Sequence, residues 1–250
     1  MSAQTCIRTL SRMSTESIRL VCFPHAGAGA SIYHAWTSML PSCVGIYGVQ
    51  LAGREQRAAE PFVVHWTDLV AEISDALAGW DDKPYAFYGH SLGGLIAYEV
   101  AAALQRRGGA MPRILVAGGA YAPSAVCKAH TQFEDEKTLL HVVRRLGGVA
   151  DELMADADFA RYFLPVIAAD FTLFNRYTYD PSHGALECDV AALHGTDDVD
   201  HGRVSTLRWR EHAGRGFCLD EVPGGHFFHR ERASETVGLV LRRLGERGLI

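Results

Sequence analysis

A strand, a sharp turn and a helix follow one another in the stretch YAFYGHSLGGLIAYEVAAALQRR, residues 85–107. Its apolar start predicts a buried strand, and the apolar spacing after the turn predicts a helix that ends at the following glycine pair. The turn reads G-x-S-x-G, whose glycines permit the strained backbone that lifts a serine hydroxyl above the edge of a sheet. The pattern is weak alone, and a glycine-rich turn without chemistry is its plain alternative. The strand–turn–helix setting makes Ser91 the candidate nucleophile.

Short apolar runs alternate with helical patterns on both sides of this stretch. We predict strands at 19–23, 44–51, 85–88, 113–117, 190–193 and 217–222, and helices at 34–40, 66–78, 92–107, 204–212 and 233–244. Alternation of this kind predicts a mostly parallel central sheet with helices on both faces. Residues 18–250 are expected to form a single domain behind a loose N-terminal tail, residues 1–17.

Residues from about 121 to 187 break the alternation, because they show helical periodicity and no clear strand. Apolar side chains recur at helical spacing in two groups, Leu139, Leu140, Val143 and Leu146, and Phe159, Phe163, Val166, Ile167, Phe171 and Phe174. A helical insertion after a sheet strand predicts a lid over the carboxyl ends of the strands, where open α/β sheets bind ligands. Two ordinary crossover helices are the alternative.

A serine hydroxyl is a poor nucleophile until a base takes its proton, and the base needs a carboxylate to orient it. With a nucleophile on such a turn, the acid follows the serine in the chain and the histidine comes last. His226 stands in the loop PGGH after the last predicted strand, where backbone freedom lets its side chain reach across to the turn. We interpret His226 as the candidate base, with His229 as the runner-up.

Three aspartates compete for the role of the acid. Asp197, Asp198 and Asp200 follow the predicted strand at 190–193, beyond the carboxyl end where a triad acid belongs. The G-x-x-D spacing from Gly195 favours Asp198. Asp197 is the main rival, and either residue could instead shape the turn through its side chain.

Two backbone N–H groups are needed to stabilise an oxyanion that forms during attack by the serine. The residue after the nucleophile, Leu92, is one candidate donor. Ala26 is the other, in the loop FPHAGAG at residues 23–29; this loop lacks the G-x-G-x-x-G pattern and the lysine of a phosphate-binding loop. His25 precedes the serine in the chain, so we interpret it as shaping the loop. Together these parts predict a serine hydrolase of the α/β-hydrolase fold.

Ordered motifs extend over nearly the whole chain from Leu20 onward. They are FPHAG with Trp36, QLAGR at 50–54, YGHSLGG with AYE at 97–99, RLGG at 145–148, LP at 164–165, ADF at 169–171 with Tyr177 and Tyr179, and GHFF at 225–228. In this order they resemble a type II thioesterase, a stand-alone editing enzyme of nonribosomal peptide and polyketide synthesis. The family usually has proline where Ala52 and Val199 stand and glycine at His194, and aligning its acid onto this loop supports Asp198.

The resemblance implies hydrolysis of acyl groups from the phosphopantetheine arm of acyl or peptidyl carrier protein domains, which removes aberrant or stalled chains. The arm belongs to the substrate, so no cofactor of the enzyme's own is implied. The residues alone imply only acyl transfer to water. A small-molecule carboxylesterase or lipase is the first alternative, and a non-catalytic binding protein of the same fold is the second.

One helical line within the predicted lid is unusual. It contains Phe163, Ile167, Asp170 and Phe174. Because an acid on an apolar stripe is rare, we expect the line to face the acyl pocket or a neighbouring lid helix, with Asp170 hydrogen-bonded there.

Carrier proteins are generally acidic, and this chain has a formal net charge of -5. Attraction between the two must therefore come from a local basic patch. We expect that patch at Arg54 and Arg57, in the loop after the second strand, with Arg144 and Arg145 of the lid as further candidates.

The composition argues against several other classes of function. The 250 residues are 48% hydrophobic and 21% charged, which suits a sizeable core and gives no basic field for nucleic acid. No stretch approaches the roughly 20 apolar residues of a membrane span, and the N-terminus lacks the pattern of a signal peptide. Six scattered cysteines lack a C-x-x-C pair, so we expect no disulfides, no bound metal and a cytoplasmic location.

Overall fold

Seven strands form one sheet in the computed structural model, which describes residues 6–126 and 157–250. The strands are β1 Ile7–Ser11, β2 Ile18–Phe23, β3 Val44–Val49, β4 Tyr85–His90, β5 Ile114–Gly118, β6 Asp189–Gly195 and β7 Phe217–Val222. The α-helices are α1 Trp66–Leu77, α2 Leu92–Arg106, α3 Ala157–Asn175, α4 Arg203–Leu207, α5 Phe228–Glu231 and α6 Ala233–Gly245. Short 3-10 helices cover Ala30–Ser38, Glu55–Arg57, Pro123–Ala125, Pro181–His183 and Arg208–His212.

The strand order is β1-β3-β2-β4-β5-β6-β7, and every pair from β3 to β7 is parallel. The mostly parallel sheet expected from the alternation of strands and helices is therefore confirmed. In the centre, Leu20 of β2 lies between Ile46 of β3 and Ala86 of β4. Because parallel strands end at the same edge, the loops that follow β2, β4 and β6 are brought together there.

Apolar side chains fill both faces of the sheet, because successive residues of a strand point to opposite sides. On one face, Phe87 of β4 packs in a cluster with Ile73 of α1 and Ile96 of α2. On the other face, Tyr88 packs with Trp36 of the first 3-10 helix and Val240 of α6. The turn at Ser91 thus follows a strand that is buried on both sides.

Residues 7–11 correct the prediction of a loose tail, since they form β1. This strand pairs antiparallel with β3, with Ile7 opposite Val49 and Thr9 opposite Tyr47. Its sequence IRTLS is too short and too polar to indicate a strand by pattern. The open edge of β3 supplies the backbone partners, which local sequence cannot reveal.

Helix α3, Ala157–Asn175, covers the second group of apolar positions in the predicted lid. Residues 127–156, which carry the first group together with Arg144 and Arg145, lie outside the described residues. Within the described part of the chain, no helix is long and apolar enough to cross a membrane.

Candidate active site

Ser91 lies between the last residue of β4 and the first residue of α2. Its φ of 54° and ψ of -120° fall outside the regions that a residue with a side chain normally adopts. Its backbone N–H donates to the carbonyl oxygen of Gly118 at 2.9 Å, which ties the turn to the end of β5. A Cβ atom at Gly93 would overlap the backbone carbonyls of Phe23 and Pro24. Glycine is therefore required there, because the start of α2 packs directly on the chain that leaves β2.

The candidate acid and base form a buried pair. His226 Nδ1 lies 2.8 Å from Asp198 Oδ2. The other carboxylate oxygen, Oδ1, accepts the backbone N–H groups of Asp200 and His201, each at 3.1 Å. Burial by itself would raise the pKa of Asp198, but hydrogen bonds and charge attraction from His201 and His226 outweigh it and hold that pKa well below its usual range. Asp198 is thus an ionised carboxylate that orients the His226 ring.

The rival residues lie elsewhere. Asp197 is exposed, and its backbone N–H donates to the carbonyl of Gly224. His229 is buried, and its ring stacks on His90 with centroids 3.7 Å apart. The structure therefore brings Asp198 and His226 together and leaves the two runner-up residues out of the pair.

His90 holds the backbone of His226, the candidate base, through a contact that the sequence did not predict. Its Nε2 lies 2.7 Å from the backbone oxygen of His226; because a carbonyl only accepts, Nε2 carries the proton and donates it. Its Nδ1 then accepts the Tyr88 hydroxyl at 3.2 Å. Burial lowers the pKa of His90 well below its usual value, so the ring stays neutral. In the sequence His90 is only the variable position of G-x-S-x-G, which gives no signal of this contact.

The candidate oxyanion loop, residues 24–29, is anchored by a buried ion pair. Asp170 of α3 accepts the Gly27 N–H at 2.7 Å and binds the Arg54 guanidinium through both carboxylate oxygens, at 2.6 and 2.7 Å. Arg54 also donates to the carbonyl of Ala28 at 3.1 Å. The Arg54 and Asp170 side chains are only 5% and 3% exposed. We call these contacts of Gly27, Arg54 and Asp170 the lid latch.

The expectation that Arg54 and Arg57 attract a carrier protein is wrong, because both side chains are buried and bonded within the protein. Both residues are 4% exposed. Arg57 donates to the carboxylates of Glu60 and Glu72 and to the backbone oxygen of Gln50. Guanidinium groups whose donors are used inside the protein present little charge to a partner, so these two arginines stabilise the loop instead.

The helical line of α3 meets the oxyanion loop. A Cβ atom on Gly27 would lie 2.7 Å from Ile167 Cγ1 and 3.5 Å from Phe163 Cζ. Asp170 is 2% exposed and hydrogen-bonded, as expected, although spacing alone did not indicate its partners. Phe174, further along the line, packs against the core cluster of α1 and α2. Ala26, the candidate oxyanion donor, is half-buried in the same loop.

One group of side chains within the described residues could hold a metal ion. Asp198, His201 and His226 each offer a ligand atom, and these atoms lie within 4.8 Å of one another. The five cysteines in the described ranges, Cys6, Cys22, Cys43, Cys188 and Cys218, are free thiols.

Residues 18–244 match the family model of the thioesterase domain. The chain belongs to the thioesterase family. The gramicidin S biosynthesis protein GrsT of Aneurinibacillus migulanus is 30% identical over 232 residues, covering 92% of this chain and 90% of its own length. A probable cadicidin biosynthesis thioesterase of Streptomyces griseus is 34% identical over 213 residues, which cover 85% of this chain but 58% of that protein.

The thioesterase also resembles solved structures over its whole length. The type II thioesterase BorB from the borrelidin biosynthetic cluster superposes with a TM-score of 0.86 at 29% identity, covering 98% of this chain and 99% of that chain. The predicted α/β-hydrolase fold and the resemblance to type II thioesterases are confirmed. In a thioesterase of this fold, a base whose Nδ1 faces a carboxylate leaves Nε2 as the acceptor for a serine proton.

Proposed function

We propose that this thioesterase hydrolyses acyl groups from the phosphopantetheine arm of acyl or peptidyl carrier proteins, removing aberrant or stalled chains during nonribosomal peptide or polyketide synthesis in the cytoplasm. The observation that carries the proposal is the buried pair of His226 and Asp198, 2.8 Å apart, in a chain that also holds Ser91 in a strained turn. Relatives from gramicidin S and borrelidin biosynthesis support the substrate class. The arm arrives with the substrate, so the proposal requires no cofactor bound by the enzyme.

In the proposed mechanism, Ser91 Oγ attacks the thioester carbonyl while His226 Nε2 takes the hydroxyl proton. Asp198 accepts a hydrogen bond from the Nδ1–H of His226 and stabilises the imidazolium that forms. The N–H groups of Leu92 and Ala26 donate to the oxyanion. His226 then passes its proton to the leaving thiolate, and water, activated by the same base, releases the acid from Ser91. The low pKa of Asp198 suits this role, because the carboxylate stays charged throughout.

The test compares three substrates side by side: an acyl carrier protein, the same acyl group on coenzyme A, and a simple ester of that acid. We expect the carrier protein to have the highest kcat/KM, because only it offers a protein surface for docking. S91A serves as the inactive control for all three. Equal or better turnover of the simple ester would instead support a carboxylesterase, and absence of turnover on all three would support a binding protein.

A further inference from the structure

A third buried side chain faces the pair of Asp198 and His226. His201 is 7% exposed, and its Nδ1 lies 3.5 Å from Asp198 Oδ1, the same oxygen that accepts its backbone N–H. That distance is longer than a well-formed hydrogen bond, and Nδ1 has no shorter one within the described ranges. The His201 ring stacks on that of His226 with centroids 4.6 Å apart, and its centroid lies 4.2 Å from that of the Tyr121 ring. The proposed mechanism makes no use of His201.

The donor set is one that zinc prefers. Two imidazole nitrogens and a carboxylate oxygen, with a fourth position open, form a common three-ligand site for Zn²⁺. The three residues are buried together, and their ligand atoms already lie within 4.8 Å of one another. The buried Nδ1 of His201, held only by its long contact with Asp198, gains a closer partner when a metal binds there.

We propose that Asp198, His201 and His226 form a reversible inhibitory site for Zn²⁺ and related divalent transition metals. The two rings are stacked at 21°, so each must turn about its Cβ–Cγ bond to aim its lone pair at one ion about 2.0–2.1 Å away. The metal acts as an inhibitor at this site and not as a cofactor of hydrolysis.

Inhibition follows from the position of one proton, and this step rests on the proposed role of His226 as the base. In the proposed mechanism the His226 ring carries its proton on Nδ1, facing Asp198, and leaves Nε2 as the acceptor. A metal bound to Nδ1 takes the place of that proton, which moves to Nε2. The ring still carries one proton, but that proton is now on Nε2, which therefore donates and can no longer take the proton of Ser91.

The test titrates ZnCl₂ against turnover of a chromogenic acyl ester, whose products contain no thiol that would bind zinc. We expect saturable inhibition of the wild-type enzyme that EDTA reverses. H201F keeps an aromatic ring between Tyr121 and His226 but removes one ligand. Each variant is compared with its own zinc-free rate. Since even a partner outside the ligand shell is worth about 10- to 100-fold in metal affinity, H201F should raise the half-inhibiting concentration at least about tenfold.

The matched control is H194F. His194 is also 7% exposed and its Nδ1 also lacks a partner among the described residues, but it lies outside the group of three. This variant should keep the zinc sensitivity of the wild type. Inhibition of H201F at the wild-type zinc concentration would overturn the proposed site, because the metal would then act through surface histidines or free cysteines.

A binding measurement separates the inference from the proposed function. Co²⁺ added to the intact enzyme should give the visible absorption of a tetrahedral site with one ion per chain, and H201F should lose it. Co²⁺ bound in this way without inhibition would refute the role of His226 as the base. Absence of Co²⁺ and Zn²⁺ binding, in an enzyme that still hydrolyses acyl carrier protein, would refute the metal site and leave the proposed function standing.

Discussion

The turn at Ser91 and the lid latch contribute to the same candidate site, but the chain builds them over very different distances. The turn is formed by β4, Ser91 and α2, which are consecutive in the sequence. The latch joins Asp170 to Gly27 and Arg54, which are 143 and 116 residues away in the chain. A motif can therefore encode the turn, whereas only the folded chain can assemble the latch.

The two regions also differ in how they are stabilised. The turn stores backbone strain, which the hydrogen bond from Ser91 to Gly118 and the close packing at Gly93 help to offset. The latch is a buried ion pair, whose desolvation cost is met only while both partners and the backbone N–H of Gly27 are present. Substitutions in the turn should therefore lower the rate of hydrolysis, and substitutions in the latch should lower both that rate and the stability of the fold.

The largest expected effect lies in the turn. S91A should lower kcat by about 10³-fold or more, because the members of a triad act as a unit, while the unfolding temperature stays close to that of the wild type. A fluorophosphonate probe should label the wild type and leave S91A unlabelled. Labelling of the variant at another residue would show that the turn does not carry the nucleophile.

The acid should show the next largest effect. D198N should lower kcat at least about 10²-fold, because the amide can turn its N–H toward His226 and favour the wrong tautomer. D197N should change kcat by less than about threefold, since Asp197 is exposed and contacts Gly224 through its backbone. The reverse pattern, a severe D197N and a mild D198N, would exclude Asp198 as the acid.

The lid latch should show a mixed effect. D170N leaves Arg54 buried without its countercharge, so we expect a loss of about 3–5 kcal/mol in the free energy of unfolding. We also expect kcat to fall about tenfold or more, because removing an oxyanion donor costs about 10²- to 10³-fold and a displaced loop should cost part of that. Urea unfolding and turnover of both carrier-bound and small thioesters measure the two effects.

E60Q is the matched control for the latch. Arg57 keeps Glu72 when Glu60 becomes neutral, so the stability change should stay below about 1 kcal/mol. If D170N weakens only the reaction with carrier protein and leaves the small thioester unaffected, the latch serves partner docking instead of the oxyanion loop.

Acid should destabilise the fold near the Ser91 turn, because neutral histidines are buried there. Burial lowers the pKa of His25 to about 3 and holds those of His90 and His229 well below 6.5. Below pH 6.5 the unfolded chain binds protons that these rings do not, so stability is full above pH 6.5 and falls as the pH drops. For each ring, the free energy of unfolding falls by about 1.4 kcal/mol for every pH unit below 6.5, until the pKa of that ring in the folded protein is reached.

Urea unfolding at pH 7, 6 and 5 measures this loss. Neither ring nitrogen of His229 has a hydrogen-bond partner in the described part of the chain, so leucine should replace it with little cost at pH 7. H229L should then lose stability less steeply with acid, the smallest of the expected effects. An equally steep loss in H229L would show that other groups govern the response to acid.

Local sequence predicted most of the elements, but not β1. The alternation of strands and helices and the turn at Ser91 are encoded within short windows, whereas His226 was singled out by its place in the chain order after the serine. The spacing from Gly195 favoured Asp198, and the structure brings that carboxylate to His226. A motif is sufficient for the turn at Ser91, because neighbouring residues make its geometry, but Asp198 and His226 come from separate loops and meet only on folding.

Tertiary structure alone decided which charges are buried and what they meet. The same sequence window around Arg54 is compatible with an exposed basic loop or a buried anchor, and Asp170 on α3 decides between them. Likewise β1 exists because β3 offers it an edge, and His201 faces Asp198 because the loop after β6 turns back on itself. The physical reason is that the cost of burying a polar group depends on its partner, and these partners come from segments that the chain brings together only on folding.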